Sequence, residues 1–208
     1  MDIQFYGANC VRIANKKASL VFDDTLAQLG QKAVLKKDEI AIFTHAHEAP
    51  AAEVKLVIDG PGEYEVSEVM IAGIQTRAHM DEDGQRTATM YKVLMDDIRI
   101  GVLGHVHPDL TDDQLEQLGV IDVLFVPVGG NGYTLDSVGA LKLIKKIEPK
   151  IIIPTHYEDK VLKYEVPQQP LETAISGLSM EVAETVDKLK LKSSDVGETT
   201  RLIVLNRS

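Results

Sequence analysis

The chain has 208 residues, of which 44% are hydrophobic and 26% are charged, and its formal net charge is −10. This length suffices for a sizeable buried core, and we expect residues 1–208 to form one domain. The negative charge disfavours binding to the phosphate backbone of nucleic acids. The first ten residues lack the basic start and apolar centre of a secretory signal, and no apolar run reaches the ~18 residues of a membrane helix.

Cys10 is the only cysteine, so a disulfide within the chain is impossible. This agrees with a reducing compartment, and we expect the protein to be cytoplasmic. Because Cys10 lies in a strand-like run, we interpret it as a small buried hydrophobic residue rather than a nucleophile.

Short strands separated by turns are predicted for the first half of the chain. Apolar runs of strand length or pattern occur at 3–6, 10–14, 18–22, 39–43, 54–66, 68–76, 88–95 and 98–103. The sequence Asn15-Lys16-Lys17 is typical of a hairpin turn, and Gly60-Pro61-Gly62 is expected to break the run that contains it.

Alternating strands and helices are predicted from about residue 110 onward. A helix is expected at 111–119, because Thr111 and Gln114 have the spacing of a capping box and Gly119 suits a C-terminal stop. Strand 120–128, helix 135–149 and strand 150–154 are predicted to form a βαβ unit with parallel strands. Part of 170–186 is predicted to be helical, and 199–207 to contain a closing strand. The fold class is therefore α/β.

The six histidines concentrate at the predicted strand ends. Five of them lie just beyond apolar strand-like runs, and His107 lies beside one of the five. These five are His45, His47, His79, His105 and His156. In sheets with parallel strands, ligand sites gather outside the strand ends, so this placement predicts a shared site.

His45 and His47 have the spacing of a metal-binding pair. In an extended chain, residues two apart point to the same side, so both rings could reach one ion. A catalytic zinc usually has three protein ligands and one open position, and either His79 or His156 could supply the third nitrogen.

The ordered set of motifs resembles the metallo-β-lactamase superfamily, specifically a branch of zinc-dependent hydrolases similar to ascorbate-6-phosphate lactonase. The motifs are FYGANCVRI, LVFDD, FTHAHEAP, IDGPGEYEV, IGVLGHVHPDLTDDQLEQLG, IDVLFVPVGG and KIIIPTHY. The resemblance implies a four-layer αββα sandwich with a metal centre at one edge between the sheets.

The resemblance also implies roles for individual residues. His45, His47 and His79 match the three ligands of one metal, and His156 matches a ligand of a second. His105 stands where the family has a bridging aspartate, and the sequence leaves open whether His105 or His107 occupies that position. Asp23 matches a strand-end aspartate that can orient a ligand histidine.

Besides His105, three positions depart from the family pattern. Ala49 and Pro50 replace an aspartate and a histidine of the metal-binding loop, and Ala8 stands where the branch often has histidine. The second metal site is therefore expected to be lost, leaving one ion, zinc or alternatively manganese or iron.

Two functions are consistent with these residues. The first is a single-metal hydrolase of an ester, lactone or phosphodiester bond in a small molecule. In it His45, His47 and His79 bind metal, while His105 and His156 complete the site or assist proton transfer. The second is a non-catalytic protein of the same fold that acts as a binding or scaffold module.

Overall fold

The computed structural model of the protein describes residues 1–50 and 52–208. The strands formed within these residues are β1 (Asp2–Gly7), β2 (Cys10–Ala14), β3 (Ser19–Phe22), β4 (Ile40–Ile42), β5 (Leu56–Ile58), β6 (Gly62–Val66), β7 (Val69–Thr76), β8 (Ala88–Met95), β9 (Ile98–Val102), β10 (Val123–Pro127), β11 (Ile151–Thr155), β12 (Val182–Val186), β13 (Leu189–Lys190) and β14 (Arg201–Leu205). The helices are α1 (Asp112–Leu118), α2 (Ser137–Ile147), α3 (Leu171–Leu178) and a 3-10 turn at Ser193–Asp195.

The described strands form two sheets. One has the order β13-β1-β2-β3-β4-β5, and the other has the order β12-β14-β11-β10-β9-β8-β7-β6. Strands β3, β4 and β5 are parallel, as are β9, β10 and β11. The carboxyl ends of these parallel strands therefore lie along one edge of each sheet, where loops can present side chains.

The main core lies between the two sheets. It includes Ile3 and Phe22 from the first sheet and Val93 and Ile153 from the second. The rings of Phe22 and Tyr91 pack edge to face, with 6.1 Å between their centroids. This is a favourable arrangement for two aromatic side chains. The Tyr91 hydroxyl donates to the Phe43 carbonyl at 3.0 Å and so ties the second sheet to the chain leaving β4.

Different structures cover the outer faces of the sheets. Helices α1, α2 and α3 pack on the second sheet through residues such as Leu118, Leu143 and Leu178. The outer face of the first sheet is covered by turns, in which Leu26 and Leu162 are buried against Val21. The expected two-sheet sandwich is present, but one of its outer layers consists of turns where a helix was expected.

Local sequence signals account for both ends of α1 and for the C-terminal end of α2. Thr111 and Gln114 form the expected capping box of α1, and Gly119 ends that helix at φ 59°. Helix α2 ends at Glu148 in the left-handed conformation, directly before Pro149, which cannot continue a helix.

The segment 170–186 is only partly helical, as predicted. Helix α3 occupies its first half, whereas Val182–Val186 is β12 and pairs in parallel with β14. Pairing with a distant part of the chain determines the conformation of this exposed segment, and local propensity is too weak to reveal such pairing.

No helix in the described ranges 1–50 and 52–208 is both long enough and apolar enough to cross a membrane.

Candidate functional site

Three of the predicted site histidines face one small cavity. His45, His105 and His156 line a space of about 130 Å³. The ring centroids of His45 and His105 are 4.0 Å apart, and those of His105 and His156 are 5.0 Å apart. Other residues around the cavity include Asn9, Asp23, Tyr133, Tyr164, Glu165 and Gln168. The rings are close enough to contact a single bound group.

Three strand ends deliver these rings to the cavity. His45 follows β4, His105 follows β9, and His156 follows β11. The loop after β4 is joined to strand β8 of the second sheet, where the Thr89 amide donates to the Thr44 carbonyl at 2.8 Å. His156 has a φ of 54°, a strained conformation for a residue with a side chain, and such strain often occurs at functional sites.

Asp23 supports the loop that carries His45. The Thr44 amide and hydroxyl donate to the buried Asp23 carboxylate at 2.7 and 2.6 Å. The His45 Nδ1 atom is 3.9 Å from Asp23 Oδ1, which exceeds hydrogen-bonding distance. Asp23 therefore orients the backbone before His45, whereas the sequence suggested a bond to a ligand ring. Burial raises the pKa of Asp23, and His45 and Thr44 counteract part of this effect.

Burial keeps two of the rings neutral. Desolvation lowers the pKa of His105 well below its usual value, and the neighbouring His45 and His156 lower it further. Desolvation also lowers the pKa of His156 to about 4, against the opposing effect of Gln168. Neutral imidazoles have a free ring nitrogen, which can bind a metal ion or accept a proton.

His47 lies away from the cavity. Its ring stacks on that of Phe43, with 3.6 Å between the ring centroids. Its Nδ1 atom is 2.7 Å from the Glu48 carbonyl oxygen, and its Nε2 atom is 3.3 Å from Asp59 Oδ2. The argument that His45 and His47 point the same way required an extended chain, but the backbone bends at Thr44 and His45. His47 as a metal ligand stays a prediction from the sequence.

His79 lies in a neighbouring groove of about 480 Å³. Its ring centroid is 5.8 Å from that of His107, and its backbone amide donates to the His105 carbonyl at 2.7 Å. The sequence correctly put His79 near the strand ends, but its role as a ligand is likewise still a prediction.

The chemistry of the cavity fits a metal ion, although a complete ligand set is not formed. Within residues 1–50 and 52–208, no group of three or more His, Cys, Asp or Glu side chains is arranged to hold an ion. In the same described residues, His45 Nδ1 and His105 Nε2 are buried without a hydrogen-bond partner. Buried polar atoms normally have partners, so these nitrogens indicate a site that takes a bound group.

Several polar residues at the cavity were not found from the sequence. Asn9, Tyr133, Tyr164 and Gln168 are among them. Asn9 and Tyr133 lie in glycine-containing turns, and no local pattern links either side chain to the histidines. Tyr164 and Gln168 lie in an irregular segment, and only the tertiary structure brings them near the histidines.

Comparison with known proteins establishes the class of this chain. Residues 2–156 match the family model described as a beta-lactamase superfamily domain. The chain therefore belongs to the beta-lactamase superfamily.

Individual relatives are similar to this chain either over a short segment or over most of its length. A UPF0173 metal-dependent hydrolase of Carboxydothermus hydrogenoformans is 44% identical over 43 residues, 21% of this chain and about a fifth (19%) of the relative. A UPF0173 metal-dependent hydrolase of Listeria innocua is 22% identical over 229 aligned positions, covering 90% of this chain and all (100%) of the relative.

A solved structure agrees along nearly the entire chain. It is a proposed Zn-dependent hydrolase of the metallo-beta-lactamase superfamily from Thermotoga maritima, 25% identical, with a TM-score of 0.80. The match covers 99% of this chain and 98% of that one. The expected α/β metallo-β-lactamase fold is thus confirmed.

Proposed function

We propose that this protein is a metal-dependent hydrolase of a small-molecule substrate. The observation that carries the proposal is the convergence of His45, His105 and His156 on one cavity at the strand ends. The relatives from Carboxydothermus and Listeria are named as metal-dependent hydrolases, and the Thermotoga protein as a proposed Zn-dependent one, which supports the same chemistry.

His45 and His156 are the side chains that would hold the ion. His45 Nδ1 has no partner among the described residues, and the Nδ1 of His156 is engaged by Gln168, which leaves Nε2 for a ligand. Imidazole nitrogens suit zinc, and we propose one zinc ion in preference to manganese or iron. Such an ion supplies Lewis acidity and lowers the pKa of water to about 7.

The surrounding side chains shape the space for the reacting group. The ring centroids of Tyr133 and Tyr164 lie 5.6 and 5.3 Å from that of His156. These two rings therefore restrict the access of water to His156. Asp23 and Glu165 add negative charge to the wall. The small volume accepts the reacting group of a substrate, and the remainder of that molecule extends outward.

The bond that is cleaved is proposed from the resemblance of the motifs. An ester, lactone or phosphodiester fits the branch similar to ascorbate-6-phosphate lactonase. We also propose that residues 1–208 form one domain, because the main core includes residues from Ile3 to Leu205. The buried free thiol of Cys10 is compatible with the cytoplasmic location that we propose.

A non-catalytic binding module is the second candidate. It is favoured by the lack of a formed three-ligand group within residues 1–50 and 52–208, and by Ala49 and Pro50 in the loop after His47. Such a protein would use the same cavity to hold a ligand without hydrolysing it.

Metal content after zinc loading tests the choice of ligands. Changing His45 or His156 to alanine is expected to weaken zinc binding by at least roughly 10–100-fold. That range is the loss of metal affinity when a residue that only supports a ligand is removed, and removing a ligand costs no less. The matched variant His47→Ala is expected to keep its zinc, because this ring lies against Phe43. The measurement is elemental analysis of dialysed protein over a range of free zinc concentrations.

Hydrolysis of generic phosphodiester, ester and lactone substrates, with and without a chelator, is the companion measurement. Activity that the chelator removes and zinc restores supports the hydrolase. Protein that takes up no metal, shows unchanged melting with zinc and hydrolyses none of these substrates would leave only the binding module. Loss of zinc in both His45→Ala and His47→Ala, with zinc retained in His156→Ala, would favour the ligand set expected from the sequence.

A further inference from the structure

Two buried side-chain amides contact the histidines of the cavity. Gln168 lies beside His156, and Asn9 lies beside His105, each at the Nδ1 atom of the ring. Gln168 and Asn9 are 5% and 4% exposed, so neither amide can exchange its partners freely with water. An amide has a donor end and an acceptor end, so its orientation decides which nitrogen of the adjacent imidazole carries the proton.

The orientation of Gln168 is set by a backbone carbonyl. Its Nε2 donates to the Val166 carbonyl at 2.6 Å, which directs its Oε1 toward His156 Nδ1 at 3.1 Å. An amide oxygen can only accept, so His156 carries its proton on Nδ1. The Nε2 atom of His156 then has a free lone pair.

The orientation of Asn9 is set by Thr155 and has the opposite polarity. The Thr155 hydroxyl donates to Asn9 Oδ1 at 2.8 Å, which places the Asn9 Nδ2 group 3.4 Å from His105 Nδ1. Thr155 is buried, and Asn9 is the only hydrogen-bond partner of its hydroxyl in the described part of the chain. Turning the amide around would leave that buried hydroxyl hydrogen without an acceptor, which disfavours the reversed orientation.

We propose that Asn9 holds His105 as the tautomer protonated on Nε2, so that His105 donates a hydrogen bond into the cavity while His156 presents an unprotonated Nε2. The partner of the His105 N–H is an oxygen of the bound molecule, either a carbonyl oxygen or an oxygen of an anionic group. Among the described residues His105 Nε2 is buried with no partner, which is the state expected of a donor that awaits a ligand.

The inference rests on the proposed function only for the identity of the bound molecule. It deepens that proposal by separating the roles of two neighbouring rings. His156 contacts the ion or accepts a proton, whereas His105 contacts substrate and does not bind metal. Asn9 acts through His105 and is a positioning residue.

Nitrogen NMR of protein labelled with ¹⁵N in its histidines measures the tautomers directly. Two-bond ¹H–¹⁵N correlations on chelator-treated protein are expected to show a protonated Nε2 for His105 and a protonated Nδ1 for His156. His105→Gln and His156→Gln assign the signals, because each variant removes one ring. A protonated Nδ1 on His105 in the metal-free protein would overturn the inference and leave the hydrolase proposal intact.

Asn9→Asp tests the positioning role of Asn9. A carboxylate only accepts hydrogen bonds, so His105 is expected to move its proton to Nδ1. Thr155→Val is a second variant that frees the Asn9 amide to turn, and we expect a mixture of His105 tautomers. Asn15→Asp in the distant β2–β3 turn is the matched control and is expected to leave both rings unchanged. An unaltered His105 spectrum in a folded Asn9→Asp or Thr155→Val protein would contradict the role of Asn9.

Addition of zinc alone distinguishes this inference from the proposed function. Zinc is expected to shift His156 Nε2 strongly while His105 Nε2 stays protonated. Loss of the His105 Nε2 proton when zinc binds would make His105 a third ligand and overturn the inference. If zinc shifts neither ring, the metal-dependent function fails, and the tautomers measured without zinc still decide whether His105 is a donor.

Discussion

Replacing Gly104 with alanine is expected to destabilise the protein by about 2–5 kcal/mol, the sum of a left-handed backbone cost and an overpacking cost. Gly104 has a φ of 61°, and a Cβ atom at this position would overlap the Oγ1 and Cβ atoms of Thr44. Thr44 cannot move away easily, since its amide and hydroxyl both donate to Asp23. The strain therefore falls on the residues that precede His45 and His105.

Gly84→Ala is the matched control for this prediction. Gly84 has a φ of 89°, and a Cβ atom there would have no described atom within 4 Å. Only the backbone cost of about 1–2 kcal/mol is expected, because nothing crowds the added methyl group. Chemical denaturation of both variants gives the two free energies of unfolding. Equal losses would show that contact between Gly104 and Thr44 does not constrain the site.

The strand ends were predictable because the signals that define them are local. Apolar runs end at turn residues, so the sequence alone indicated that the segments before His45, His105 and His156 are strands. The parallel pairing of β10 and β11 followed from the helix between them. The burial of Cys10 was predicted correctly as well, since it is 0% exposed on an inner strand.

Side-chain directions beyond a strand end were not predictable in the same way. His47 stacks on Phe43 because the chain bends after β4, and sequence spacing does not reveal that bend. Asn9 and Gln168 reach the cavity from widely separated positions in the sequence, so no local pattern connects them to each other. The polar environment that determines the chemistry of each histidine ring is formed by tertiary contacts, which local sequence patterns do not predict.

A buried ion pair that the sequence did not reveal joins β2 to the residue that precedes β4. Arg12 and Glu39 are each 8% exposed, and their side chains form two hydrogen bonds of 2.9 and 3.1 Å. Arg12 also donates to the Tyr6 hydroxyl and to the Val34 carbonyl. The bond to Val34 connects the first sheet to the turns that cover its outer face.

Arg12→Met is expected to destabilise the protein by about 3–5 kcal/mol, because it leaves the Glu39 carboxylate buried without its cation. The exposed pair Lys17–Glu68 provides the matched control, and Lys17→Met is expected to cost about 0–1 kcal/mol. Denaturation with urea measures both losses. Adding Glu39→Gln to Arg12→Met is expected to recover part of the lost stability, since the unpaired charge is then removed.

The loss of stability caused by Arg12→Met is expected to depend on pH in a defined direction. Desolvation acts to raise the pKa of Glu39, but hydrogen bonds from Arg12, Ser19 and the Lys36 amide outweigh it and lower the pKa. A carboxylate with a lowered pKa contributes stability above its unfolded value of about 4.3 and loses that contribution as the pH falls through the folded value. The stability difference between wild type and Arg12→Met is therefore expected to be largest near neutral pH and to shrink in acid. If this stability difference stays constant down to the acid transition, Arg12 stabilises the protein through packing alone. The attraction between the Arg12 guanidinium and the Glu39 carboxylate then contributes nothing.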